Sequence, residues 1–157
     1  MPSRKFIMLF EEFKKTGSFT WTDVRDALQL KKPFMIIIFK DEKTKSAAIS
    51  NELNEYDIVD QSAFLKRDGE LKEYPSVFFI LPRTKDFTQM IRLIFDQYEA
   101  RNIVHSDGAE YSDIYYPDGS SIEAGNEIES TIEPDEFKSG DYFQVGSTYY
   151  RFLDSSF

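Results

Sequence analysis

The longest apolar run in this 157-residue chain is Phe34-Met35-Ile36-Ile37-Ile38-Phe39. Successive side chains of a strand point to opposite faces, so an unbroken apolar run predicts a strand that is buried on both sides. Pro33 precedes the run and marks the start of the strand, which ends near Lys40. The pattern therefore places this strand at the centre of a sheet.

The segments after this strand alternate between helix and strand. The predicted elements are a helix over 43–56, strands over 61–66 and 75–81, a helix over 86–100 and a strand over 102–105. Asp68-Gly69, between the two middle strands, is a strong hairpin signal. The order strand, helix, strand, strand, helix, strand is that of a ferredoxin-like βαββαβ unit. A thioredoxin-like fold is the alternative, without its redox chemistry because the chain has no cysteine.

Two short helices are predicted before the sheet, over 4–15 and 22–30. The first has an apolar stripe at helical spacing, which packs on the domain itself or inserts into a groove of a neighbour. The stripe consists of Phe6, Leu9, Phe10 and Phe13. The predicted fold class is therefore α+β, with an N-terminal helical segment (1–32), the βαββαβ unit (33–105) and a β-rich acidic extension (106–157). These parts form one compact domain or two lobes.

The negative charge of the chain is concentrated in its last third. Residues 1–101 hold 17 Lys+Arg and 16 Asp+Glu, whereas residues 102–157, the acidic third, hold 2 and 12. The net charges of +1 and −10 add up to the −9 of the whole chain. Turn signals at Pro117-Asp118-Gly119 and Gly146-Ser147 predict strands rather than a disordered tail in this third.

Tyrosines accompany the carboxylates of the acidic third. Tyrosine is a frequent anchor of protein interfaces, and a net negative charge steers a basic partner. The sequence therefore predicts a non-enzymatic interaction or structural protein that docks on a basic protein surface, with self-association into a homo-oligomer as the alternative. The predicted contact residues are Tyr111, Tyr115, Tyr116, Asp135, Glu136, Asp141, Tyr142 and Tyr149.

Two other functions are open at this point. An inhibitor that mimics nucleic acid would use the same negative charge, whereas direct binding to nucleic acid is disfavoured by it. A small enzyme that uses carboxylates, alone or with Mg²⁺ or Ca²⁺, would take Asp107, Asp113 and Asp118 as metal ligands. His105 is the only histidine, and no phosphate-binding glycine motif occurs, so no cofactor is predicted.

The sequence predicts no membrane association. No apolar run approaches the ~20 residues that span a bilayer, and no secretory signal is visible. The absence of cysteine favours a reducing compartment, so the cytoplasm is the expected location.

The N-terminus carries the stretch Lys5-Phe6-Ile7-Met8-Leu9-Phe10-Glu11-Glu12-Phe13. It resembles the Phe-Glu-Glu-Phe type of leader found in many proteins of large tailed bacteriophages. The resemblance implies a small virion or accessory protein, located in the host cytoplasm or the virion, and it implies no catalytic residue.

Overall fold

The computed structural model describes residues 20–83, 85–133, 137 and 141–153. These residues form nine strands and three helices. In chain order they are α1 (Trp21–Gln29), β1 (Phe34–Ile38), α2 (Glu42–Asn51), β2 (Val59–Arg67), β3 (Glu70–Ile80), α3 (Thr88–Tyr98), β4 (Asn102–Ser106), β5 (Tyr111–Tyr115), β6 (Ser121–Gly125), β7 (Ile128–Thr131), β8 (Tyr142–Val145) and β9 (Thr148–Phe152). The predicted helix over 4–15, with Phe6, Leu9, Phe10 and Phe13, lies outside the described residues.

The nine strands form one antiparallel sheet in the order β6-β5-β4-β1-β3-β2-β8-β9-β7. The predicted position of β1 is confirmed, because it lies between β4 and β3 and none of its side chains is more than 1% exposed. The β2–β3 hairpin is also confirmed. Asp68 and Gly69 have φ angles of 54° and 79°, as a two-residue hairpin turn requires.

The predicted fold class, a ferredoxin-like α+β unit with a β-rich acidic extension, is wrong. The protein is mostly antiparallel β, a single nine-stranded sheet curled into a half-barrel. The elements from β1 to β4 follow in the predicted order, but the sheet does not stop there. β5 and β6 extend it beyond β4, and β8, β9 and β7 extend it beyond β2. Unpaired backbone groups at the edges of β2 and β4 need partners, and the strands of the acidic third supply them.

The sheet is curled because its two edge strands are neighbours in the chain. Only Asn126 and Glu127 connect β6 to β7. A flat sheet of nine strands would hold its edges about 38 Å apart, whereas a connection of two residues spans at most about 11 Å. The curl brings the rings of Phe34 on β1 and Phe152 on β9 to 6.3 Å between centroids, although three strands lie between β1 and β9.

The concave side of the sheet is filled by α1 and by aromatic side chains. The backbone N–H of Thr20 donates to the carboxylate of Asp23 and so begins α1. Trp21 of this helix lies 5.2 Å from the ring of Tyr150 on β9. The buried residues of this concave core are Val24, Ala27, Phe34, Ile36, Ile38, Val59, Ala63, Leu65, Phe78, Val104, Ile114, Ala124, Phe143, Val145, Tyr150 and Phe152.

The convex side is covered only in its middle. α2 begins at Asp41, whose carboxylate accepts the N–H of Thr44 at 2.8 Å. Ala48 of α2 and Ile91 and Ile94 of α3 pack on side chains of β1, β3 and β4. The convex faces of β5 and β6 extend beyond this cluster, so part of the sheet surface stays exposed.

A buried chain of hydrogen bonds ties four strands together. The Tyr150 hydroxyl donates to Oε1 of Gln61 at 2.8 Å, and Nε2 of Gln61 donates to the Ser76 hydroxyl at 3.0 Å. The Ser76 hydroxyl in turn donates to the Ile37 carbonyl at 2.8 Å. Burial raises the pKa of Tyr150 far above its ordinary value, so the hydroxyl keeps its proton and remains a donor. The chain fixes β9 against β2, β3 and β1.

Replacing Tyr150 by Phe removes the first donor of this chain and leaves the buried Oε1 of Gln61 without its partner. We expect the free energy of unfolding to fall by about 1–3 kcal/mol. The matched control is Tyr149→Phe, because this half-buried neighbour has no hydroxyl hydrogen bond among the described residues. Urea denaturation of both variants measures the difference. Equal stability of the two variants would contradict a stabilising role for the chain.

Candidate functional site

The exposed convex surface of β4, β5 and β6 carries both acidic and aromatic side chains. We define the acid–tyrosine face by His105, Tyr111, Asp113, Tyr115 and Glu123. Burial alternates along β5, so Tyr111, Asp113 and Tyr115 share one side of the sheet. Tyr115 packs against the convex core, which identifies that side as the convex one. The face lies next to the helical layer but is not covered by it.

Strand register places two carboxylates directly opposite each other. Asp113 on β5 pairs with Glu123 on β6, and both side chains are exposed. Like charges in directly opposite positions destabilise a sheet. In the described part of the chain, no Lys or Arg forms an ion pair with either carboxylate. The sheet therefore carries a local repulsion.

His105 lies opposite Asp113 on its other side but does not neutralise it. The imidazole is half-buried and lies 5.9 Å from the Phe87 ring. Burial lowers the pKa of His105 below its ordinary value, although Asp113 and Asp107 act in the opposite direction. The ring is therefore mainly uncharged at neutral pH and supplies no cation to the pair of carboxylates.

The second feature is the pair of edge strands, β6 and β7, whose unpaired edges we together call the seam. The two strands follow each other end to end at a joint, where Asn126 donates its N–H to the Glu110 carbonyl at 3.0 Å and the Glu127 carbonyl accepts the N–H of Leu153 at 2.9 Å. Ala124 before the joint is buried, and Ile128 after it packs on the concave core. Further from this joint, Ile122 is 46% exposed. Its opposite residue on β5, Ile114, is buried in the concave core, so Ile122 faces the same side. Ile122 is exposed because no described strand lies beyond β6.

The outward side of the seam is acidic. Glu123 lies on β6, Glu127 directly precedes β7, and Glu129 lies on β7. Glu129 forms an ion pair with Arg151 of β9. Within the described residues, Glu123 and Glu127 have no such pairing.

A cleft of about 620 Å³ lies beside the joint between β6 and β7. Lys31 lines it, and the Lys31 carbonyl accepts a hydrogen bond from Arg83 at 3.0 Å. Gly108 has a φ of 97°, and a Cβ at this position would lie 2.3 Å from the same carbonyl. The charged residues that line the cleft include Lys31 and Lys32 as well as acidic residues. The cleft therefore favours neither an anionic nor a cationic ligand.

A second cleft, of about 490 Å³, lies beside the start of α1. Its lysine, Lys85, is already engaged, because Nζ lies 3.3 Å from Glu55 and 3.2 Å from the Tyr56 hydroxyl. Apolar residues supply most of the remaining lining.

The predicted contact residues are divided between surface and core. Tyr111 is 55% exposed and Tyr115 is half-buried on the acid–tyrosine face, whereas the half-buried Tyr116 packs toward the concave core. Tyr149 is half-buried beside Tyr142, with 5.9 Å between the ring centroids. Asp135 and Glu136 lie outside the described residues.

Two of the predicted contact residues are internal. Tyr142 is buried and stacks on Phe64 at 4.9 Å. Asp141 is buried, accepting the Lys66 N–H at 2.9 Å and the guanidinium of Arg67 at 3.2 Å. Both residues attach β8 to β2, so neither belongs to the surface described above.

The three predicted metal ligands do not converge. Asp107 and Asp118 lie in turns at opposite ends of β5, where their carboxylates accept the N–H groups of Ala109 and Ser120. Asp113 lies between them in the strand. In the ranges that the structure describes, no group of three His, Cys, Asp or Glu residues is arranged to hold a metal ion. The geometry gives the predicted magnesium or calcium site no support.

Comparison with known proteins adds no identity: no family model, curated protein or solved structure matches the chain. Among the described residues, no helix is long and apolar enough to cross a membrane.

The titration of His105 gives a pH prediction. The pKa of His105 in the folded state lies below its ordinary value of 6.5. The unfolded state therefore binds the proton more tightly than the folded state. As a result, the free energy of unfolding falls as the pH drops through about 6.5 and below. We expect His105→Gln to lose less stability than the wild type between about pH 8 and about pH 5.5, a range above the titration of ordinary carboxylates. Urea midpoints across this range measure the effect. The chain has one histidine, so an unchanged pH slope in the variant would contradict the prediction.

Proposed function

We propose that this protein is a non-enzymatic interaction protein that binds a basic surface of a protein partner through its acid–tyrosine face. The observation that carries the proposal is the cross-strand pair of Asp113 and Glu123, which faces solvent without a cation among the described residues. The exposed ring of Tyr111 lies on the same face.

A basic side chain from a partner would improve this arrangement in two ways. A Lys or Arg placed between Asp113 and Glu123 would replace the repulsion of two carboxylates by charge-assisted hydrogen bonds. The rings of Tyr111 and Tyr115 offer apolar contact and cation–π attraction to the same side chain. A local conflict in a strand that otherwise folds well is typical of positions kept for binding.

The distribution of charge supports docking on a compact basic patch. A mimic of nucleic acid needs carboxylates spaced along an extended surface. Of the nine described carboxylates of the acidic third, Asp113, Glu123 and Glu129 lie on β5, β6 and β7, Glu127 lies in the connection between β6 and β7, and Asp141 is buried. The other four lie in loops rather than along one extended surface. That the protein is a phage virion or accessory protein, as the resemblance of its N-terminal leader implies, stays a prediction.

Replacing Glu123 by Lys tests the proposal because binding and stability should change in opposite directions. The new ammonium group would face Asp113, so we expect the free energy of unfolding to rise by about 0.2–1 kcal/mol. The same change should weaken binding of a hexa-arginine amide peptide about fivefold or more at about 50 mM salt. Isothermal calorimetry measures the binding, and urea denaturation measures the stability.

The control is Asp96→Lys, which makes the same change of charge at an exposed position on α3. It should leave the binding of the peptide within about twofold of the wild-type value, because long-range charge is screened within roughly 14 Å at this salt concentration. Equal weakening in both variants would mean that the peptide responds to net charge alone, and the proposed face would be wrong.

A further inference from the structure

We propose that the seam accepts an extended segment of the partner as an added strand, with its apolar side chains turned inward and its basic side chains turned outward. This inference rests on the proposed function for the basic character of the partner. It adds the conformation and the side-chain pattern of the segment that binds.

The backbone of both edge strands is available on the seam side. β6 pairs with β5, and β7 pairs with β9. Neither strand has a second strand partner among the described residues. Edge strands with unpaired N–H and C=O groups bind extended peptides by continuing the sheet. Such a segment would pair with five residues of β6 or four of β7.

The inward side of the seam offers apolar contact. Ile122 faces the concave core and is 46% exposed. Ile132 lies one residue past β7, at an even spacing from the core-packed Ile128, and is 71% exposed. Every second residue of an added strand would point to this side, so a Val or Ile at these positions would cover exposed apolar surface.

The outward side requires basic residues. An added strand on β6 would place its outward side chains beside Glu123, and one on β7 would place them beside Glu127 and Glu129. Only Glu129 of these three has a basic partner in the described region, namely Arg151. Lys or Arg at alternate positions of the segment would therefore be attracted, and Asp or Glu would be repelled.

This charge pattern also argues against a second copy of the chain as the occupant. If β6 or β7 paired with the same strand of another copy, the edge glutamates of one chain would lie beside those of the other. A segment of alternating basic and apolar residues offers apolar side chains to the inward side of the seam and basic side chains to the outward side. An edge strand of a second copy would offer apolar side chains but no basic ones.

The test uses the acetylated and amidated peptide Gly-Lys-Val-Arg-Ile-Lys-Gly, titrated into the full-length protein. We expect Ile122→Ser to weaken its binding at least about fivefold. The control is Leu71→Ser on β3, a residue with similar exposure, 49% against 46%, far from the seam in the sheet order, and this variant should bind like the wild type. Amide hydrogen exchange in the complex should reveal new protection in Ser121–Gly125 or Ile128–Thr131.

A second peptide with the same sequence, methylated on the backbone nitrogens of Val and Ile, separates the two proposals. In an added strand, only every second backbone N–H points to the edge strand, and the binding register decides which set does so. We therefore also prepare the peptide methylated on the backbone nitrogens of Lys and Arg. One of the two methylated peptides should lose at least about tenfold in affinity. If both methylated peptides bind like the parent and Glu123→Lys still weakens all three, the added strand is wrong and the acid–tyrosine face stands. If Glu123→Lys has no effect on any peptide, the proposed function itself is wrong. Protection of the same strands in peptide-free dimers would make a second copy the occupant and overturn the inference.

Discussion

The two-residue connection between β6 and β7 is the constraint on which the rest of this structure depends. It joins strands at opposite edges of a nine-stranded sheet, so the sheet curls until the edges meet at Asn126 and Glu127. The curl creates a concave side that has to be filled. α1 and the rings of Phe34, Tyr150 and Phe152 fill it, and the hydrogen bond from Tyr150 to Gln61 fixes β9 across the interior.

The same constraint produces the candidate site. A curled sheet that does not close keeps two edges, and here both edges belong to the acidic third. Carboxylates on an edge strand discourage pairing with another copy of the chain, because they repel one another. They do not discourage a basic segment. In the proposed function the same charge would select a basic partner, and the repulsion between Asp113 and Glu123 destabilises the isolated protein locally.

Local patterns in the sequence predict individual elements of this fold well. The apolar run at 34–39, the Asp68-Gly69 turn and the Gly146-Ser147 turn each identify a strand or hairpin that the structure contains. The joining of these elements into one sheet is not encoded locally. Strand pairing between β2 and β8 joins residues that are far apart in the chain, and no short-range pattern reports it.

The same limit applies to the candidate site. Tyr111 and Tyr115 were predicted as contact residues from composition, and register brings them together with Asp113. Glu123 and Ile122 were missed, because Ser121–Gly125 is too short and too mixed to predict a strand or its faces. Burial of Tyr142 and Asp141 could not be foreseen either, because both depend on the approach of β8 to β2.

The most direct test of this account is residue-resolved amide hydrogen exchange in the free protein. If the half-barrel is open at the seam, alternate amides of β6 and β7 point to solvent and exchange quickly, while those of β1, paired on both sides, exchange most slowly. Protection of β6 and β7 at every amide, equal to that of their inner neighbours β5 and β9, would mean that the seam is already occupied and would contradict the account.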